Sequence, residues 1–254
     1  MRILLCNDDG YRAIGIQTLA RHLRQGGHEV LIVAPSEERS GQSHAMTFFR
    51  PIVTHRIDEQ TWSVEGTPAD CAALALHHFL RDRQPDLVVS GINHGMNVGW
   101  DVNYSGTVGA ATEAGLLGHR AIAVSVDLDF RRPALEQGER FDRAANLLCQ
   151  IIARLDHAVW PTGQILNVNH PGIIAKGMVQ ANCAGYNMHE PEITQRAPGV
   201  FTMGGSKRID RGDPSGDVSR VQSGYATLSF LLARQSSPAV SPDWAELIEG
   251  LEFV

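Results

Sequence analysis

Five short runs of apolar residues, spaced along the first two thirds of the chain, constrain its fold more than any other feature. They are Arg2–Cys6 (RILLC), Glu29–Ala34 (EVLIVA), Asp86–Ser90 (DLVVS), Ala121–Val126 (AIAVSV) and Gln164–Val168 (QILNV). None alternates apolar with polar residues, so each needs cover on both faces. That is the condition of strands in a parallel sheet enclosed by helices. The intervening stretches supply the cover. Ile16, Leu19, Ala20 and Leu23 recur at helical spacing before Gly26-Gly27, and Thr67-Pro68 caps a helix over 69–82. Val108, Ala111, Thr112 and Leu116 mark a helix that starts around Ser105–Thr107 and ends at Gly118. Phe141, Ala144, Ala145, Leu148, Ile152 and Leu155 form the cleanest amphipathic helix. The pattern predicts a Rossmann-like, doubly wound, mostly parallel α/β sheet. After Pro171 the rhythm breaks: Gly199–Ser215 is rich in Gly, Arg and Asp, and Gly224–Leu232 is a strand. We read 1–254 as one domain, with a core over about 1–170 and an irregular β-rich extension over about 171–254 that reaches toward a partner subunit.

In an open parallel sheet, ligands bind outside the carboxyl ends of the strands. Three loops fall there: Asn7-Asp8-Asp9 after the first strand, Pro35–Ser43 after the second, and Gly91–Asn103 after the third. The adjacent carboxylates of Asp8 and Asp9 suit a hard divalent cation, or they belong to an ordinary Asp-Asp-Gly turn. Ser40 offers a hydroxyl ligand or sits in a flexible loop, and Asn93 offers an amide oxygen or braces its own turn. Ser105-Gly106-Thr107 opens a helix whose free N–H groups would hold an anion, or the hydroxyls simply cap it. His44 is a candidate phosphate donor or a solvated loop histidine, and Asn97 is a further candidate phosphate contact. His77-His78 lie in a helix, where packing is the simpler role.

Composition narrows the chemistry. Twenty-two Lys+Arg against 28 Asp+Glu give a net charge of −6, which argues against a polyanion-coating surface and a stable nucleic-acid complex. Attraction for phosphate would have to be local. Cys6, Cys71, Cys149 and Cys183 lie far apart, read as buried reduced thiols and show no zinc spacing. No stretch approaches the ~20 apolar residues of a membrane helix, so the expectation is a soluble cytoplasmic protein. Neither a Walker A sequence, a dinucleotide fingerprint nor a G-x-S-x-G elbow is present.

Several blocks carry a family resemblance. Ile3–Gly10 (ILLCNDDG), Val33–Thr47 (VAPSEERSGQSHAMT), Gly66–Leu76 (GTPADCAALAL) and Pro85–Ala111 together resemble SurE, the metal-dependent 5′/3′-nucleotidase family. Asn167-Val168-Asn169 before Pro171 resembles its later N-V-N-x-P segment. The resemblance implies hydrolysis of nucleoside monophosphates to nucleoside and phosphate. It implies one divalent ion per subunit, Mg²⁺ or Mn²⁺, on Asp8, Asp9, Ser40 and Asn93. It also implies a homodimer or homotetramer joined through the C-terminal segment. Ser36 stands where the family has an acid, and Ser229-Phe230 where it has Thr-Pro. The expected catalytic residues are Asp8 and Asp9, with water as attacking group or Asp8 as nucleophile. The expected phosphate contacts are Asn97, Ser105, Gly106, Thr107 and His44. A nucleotide sensor without turnover and a nucleotide-sugar transferase are the rival readings.

Overall fold

The computed structural model describes residues 1–128, 134–155, 159–161, 163–208 and 213–233. The chain opens with β1 (Arg2–Cys6), α1 (Ile14–Gln25) and β2 (Glu29–Pro35), then makes a hairpin of β3 (Thr54–Arg56) and β4 (Thr61–Val64) before α2 (Pro68–Leu74). It alternates through β5 (Leu87–His94), α3 (Gly106–Leu116), β6 (Ala121–Val126), α4 (Ala134–Ile152) and β7 (Gln164–His170). The last third adds β8 (Met178–Gln180), β9 (His189–Ala197), β10 (Val200–Arg208), α5 (Asp217–Gln222) and β11 (Ala226–Leu232).

Among the described residues nine strands form one sheet in the order β3-β4-β2-β1-β5-β6-β7-β11-β8. The six from β4 to β7 run parallel, whereas β3 and β11 are antiparallel to their neighbours β4 and β7. The unbroken apolar runs explain why both faces are covered. Ile3, Leu5, Val30, Ile32, Leu87 and Val89 pack with Ile16, Leu19, Phe141 and Leu148 of α1 and α4. The alternate residues Leu4, Cys6, Leu31, Val33 and Val88 pack with Cys71, Ala72, Val108, Ala110 and Ala111 of α2 and α3. The chain leaves β1 toward β2 on one side and returns to β5 on the other. That reversal opens a crevice at the carboxyl ends of β1 and β5.

Four expectations change. β5 does not stop at Ser90: after a register shift it regains β6, pairing Asn93 with Ser125 and His94 with Val126. Gly91 permits this, because it has a φ of +129° and a Cβ there would sit 2.2 Å from the Val124 carbonyl oxygen. The helix over 69–82 is regular only to Leu74. A wide turn over Ala75–Phe79, closed by Leu80 N–H donating to Ala75 O at 2.8 Å, buries Leu80 and leaves His77 and His78 exposed. Two of the four cysteines, Cys149 and Cys183, are only partly buried.

The change near residue 171 is also not a boundary of the sheet. β11 pairs with β7 and β8 with β11, so both join the core sheet, while β9 and β10 form a separate two-stranded hairpin. Residues 209–212 and 234–254 of the expected extension lie outside the described residues. No described helix is long and apolar enough to cross a membrane.

Candidate active site

The loop after β1 is tightly built. Asn7 is fully buried and its side-chain amide donates to Gly10 O at 2.9 Å, closing the turn that presents Asp8 and Asp9. Asp8 is 3% exposed, its Oδ1 accepts from the Thr107 hydroxyl, and its carbonyl accepts from Arg39 N–H at 2.7 Å. Asp9 accepts from the His94 backbone N–H at 3.3 Å, and the His94 ring nitrogen Nδ1 lies 3.6 Å from its other oxygen. The loops after β1 and β2 and the last residue of β5 therefore meet around these two acids, together with the first turn of α3.

That first turn comes close for a stated reason. A Cβ on residue 106 would lie 2.9 Å from both the Asp8 Cβ and the Pro68 Cγ, so only glycine lets the helix start against the acid. Ser105 is the N-cap, its hydroxyl accepting from Val108 N–H at 3.1 Å, and Thr107 is fully buried behind it.

The electrostatics are unbalanced. Burial raises Asp8, against the lowering effect of its bond from Thr107, and burial with the neighbouring Asp8 charge raises Asp9 to about 7. The Glu38 carboxylate adds a further raising influence on both. Burial holds His94 below the usual histidine range, so the ring beside Asp9 is largely uncharged at pH 7. Among the described residues no Lys or Arg pairs with either acid. Two adjacent buried carboxyl groups whose charged forms have no fixed counter-charge are a fit for a divalent cation. Among the described residues no three His, Cys, Asp or Glu side chains form a metal cage, so a cation here needs neutral oxygens besides Asp8 and Asp9. Asn93 suits that need: its Nδ2 donates to Gly95 O at 2.8 Å, leaving the amide oxygen unspent by that bond. Ser40 follows Arg39, which is anchored to Asp8, and its exposed hydroxyl donates to Glu38 at 3.0 Å.

Two expected phosphate contacts are placed elsewhere. His44 faces Glu113 of α3, Nε2 to Oε2 at 2.7 Å, and with Ser105 lines a cavity of about 530 Å³ that does not include the carboxylates. Asn97 is a strut. It is 7% exposed, its amide donates to Ser125 Oγ at 2.9 Å, and its backbone N–H donates to Asn169 Oδ1 at 2.8 Å. Its carbonyl accepts from Asn167 and Asn169, so the N-V-N segment of β7 lashes the loop after β5 to the sheet.

Comparison with known proteins follows the same lines. The family model described as Survival protein SurE matches residues 3–196. The chain belongs to the SurE family. A "5'-nucleotidase SurE" of Xanthomonas oryzae pv. oryzae (strain PXO99A) is 42% identical over 235 residues, covering 90% of this chain and 88% of that protein. One of Xanthomonas axonopodis pv. citri (strain 306) is 46% identical over 206 residues, covering 80% of this chain and 77% of that protein. The crystal structure of the SurE protein from Aquifex aeolicus superposes with a TM-score of 0.84 at 29% identity, covering 98% of this chain and all of that one.

Three residues in or behind this candidate site carried no local signal. Glu38 and His94 reach Asp8 and Asp9 only through the folding of separate loops. Asp217, fully buried, accepts from the N–H groups of Gly99 and Ala184 and so ties the loop after β5 to the C-terminal third.

Proposed function

We propose that this SurE chain is a divalent-metal-dependent phosphomonoesterase that releases phosphate from nucleoside 5′- and 3′-monophosphates. The observation that carries the reading is the pair of adjacent buried carboxylates, uncompensated by any Lys or Arg among the described residues, facing the N-terminus of α3. Asp8, Asp9, Ser40 and Asn93 would hold one Mg²⁺ or Mn²⁺. When bound, the cation supplies Lewis acidity toward the phosphate and lowers the pKa of water.

The protein's own groups do the rest. Thr107 fixes the orientation of Asp8 by donating to Oδ1. The free N–H groups at the start of α3, with Gly106 allowing close approach, hold the remaining phosphate oxygens. A carboxylate of Asp8 or Asp9 takes the proton of the attacking water. The net charge of −6 fits this arrangement, since the attraction for phosphate is confined to one crevice. We assign the protein to the cytoplasm and to a homodimer or homotetramer assembled through its C-terminal third.

The deciding experiment is phosphate release from a panel of 5′- and 3′-monophosphates with Mn²⁺ and with chelator. Release that requires the metal, and that falls at least about 100-fold in Asp9→Asn, supports the reading. Binding of nucleotides without release from any of them would make the protein a sensor. Full metal-dependent activity in Asp9→Asn would remove the proposed site.

A further inference from the structure

Each side chain of the proposed cation set has one partner that fixes it. Asp8 Oδ1 accepts from the Thr107 hydroxyl, and Asp9 accepts from the His94 backbone N–H at 3.3 Å. Asn93 spends its Nδ2 on Gly95 O at 2.8 Å, which holds the plane of its amide. Ser40 differs from these three. Its hydroxyl is exposed, it sits in a loop, and it donates to a charged side chain, Glu38 Oε1 at 3.0 Å. A hydroxyl rotates to suit whatever accepts its proton. With that proton on Glu38, both lone pairs of Ser40 Oγ are left for a cation.

The stretch that carries this pair is pinned along its length. Tyr11 N–H donates to Pro35 O at 3.0 Å, and Ser36 N–H donates to Val64 O at 2.8 Å. Arg39, between Glu38 and Ser40, donates its N–H to Asp8 O at 2.7 Å, so the two side chains flank the residue that ties this loop to the first acid. After a turn at Gly41, with a φ of +74°, Ser43 N–H donates to Tyr104 O at 3.0 Å and its hydroxyl to Asn103 O at 2.7 Å. The charge of Glu38 is also unspent. Arg39 Nη2 pairs with Glu37 at 2.7 Å, and among the described residues no Lys, Arg or His pairs with Glu38. That charge acts on Asp8, Asp9 and His94 alike, which sets the carboxylate beside the acids. It does not complete a cage with them.

We propose that Glu38 is a positioning residue of the cation site: it accepts the Ser40 hydroxyl hydrogen bond and so turns the oxygen lone pairs of Ser40 toward the metal. The inference rests on the metal-dependent reading and deepens it, because it names what makes an exposed serine a ligand. Outer partners of this kind are worth roughly ten- to hundred-fold in metal affinity. Two consequences separate orientation from charge. A neutral amide at 38 still offers an oxygen to Ser40, so Glu38→Gln keeps the orientation and loses only the charge. Water and salt screen the charge of an exposed carboxylate, so orientation is the larger share. Without the Ser40 hydroxyl, residue 38 has nothing to orient.

The test titrates Mn²⁺ alone, without substrate, and reads the free ion by electron paramagnetic resonance. It compares the unaltered protein with Glu38→Ala, Glu38→Gln, Ser40→Ala, Glu38→Ala/Ser40→Ala and Asp9→Asn. Glu38 and Ser40 are both exposed, so the variants at these positions are expected to keep the fold, which circular dichroism checks. Glu38→Ala is expected to weaken Mn²⁺ binding about ten-fold and Glu38→Gln only about two-fold. In the Ser40→Ala background, Glu38→Ala is expected to cost less than about two-fold more. An unchanged Kd in Glu38→Ala overturns the proposal. So does Glu38→Gln as weak as Glu38→Ala, or a cost of Glu38→Ala that persists in full without Ser40, because residue 38 then acts by charge or by direct contact with the ion. In each of these failures Asp9→Asn still loses the metal, and the metal site stands. If the unaltered protein binds no Mn²⁺, or Asp9→Asn binds it equally well, the metal site falls and the proposal falls with it.

Discussion

Residue 106 sets how closely α3 approaches Asp8, because a methyl group there would press on the Asp8 Cβ and the Pro68 Cγ at 2.9 Å each. Gly106→Ala leaves every proposed ligand in place and moves the helix start away from them. Misplacing a reacting group by about 1 Å costs roughly 100-fold in rate, so a loss of about that size in kcat/KM is expected with the circular dichroism spectrum retained. Steady-state kinetics beside far-ultraviolet spectra check both halves of the expectation. The Ser-Gly-Thr triplet was visible in the sequence as a helix start, but the need for glycine was not, since Pro68 and Asp8 come from distant segments. For the same reason Asp8 and Asp9 could be read from their adjacency, while Glu38 and His94 could not. Their relation to the acids exists only once β1, β2 and β5 lie side by side.

Strands and helices divide by how strongly local pattern specifies them. β1, β2, β6 and β7 were legible because both faces are buried, which leaves a continuous apolar run. β3 carries no such run because its three residues are all exposed, and β4 because it has only four residues. The place of β11 beside β7 is a long-range pairing that no local signal carries.

The end of β7, close to Arg143 of α4, also predicts a pH effect. His170 is 5% exposed, its Nδ1 accepts from Gly172 N–H at 3.0 Å, and burial with the nearby Arg143 charge lowers it to about 4. The unfolded chain binds a proton near the ordinary value of 6.5, and the folded protein does so only near 4. Stability from this group is therefore fully present above pH about 6.5 and declines as pH falls toward about 4, with a slope of at most about 1.4 kcal/mol per pH unit. Urea unfolding across that window is expected to show a shallower decline in His170→Gln than in the unaltered protein.

Across the whole molecule, the C-terminal third has two roles that the break after Pro171 did not separate. One part braces the site: Asp217 holds Gly99, and Trp100 N–H donates to Tyr186 O at 3.0 Å. The other part faces outward. Ile193, Phe201 and Met203 are exposed by 63%, 59% and 72% and share one face of the β9–β10 hairpin, since Ile193 pairs with Met203 and Gln195 with Phe201. If that face joins subunits, the triple serine variant is expected to show half the mass or less by light scattering, with phosphate release from p-nitrophenyl phosphate retained. An unchanged mass would place the interface elsewhere. The hydrogen bond between Thr107 and Asp8 spans 99 residues of sequence, and this separation has a temporal consequence. A growing chain exposes both acids to the ribosome's surroundings early, yet it cannot orient Asp8 until α3 has emerged. Every partly synthesised chain that ends before α3 lacks the bond that fixes the Asp8 carboxylate.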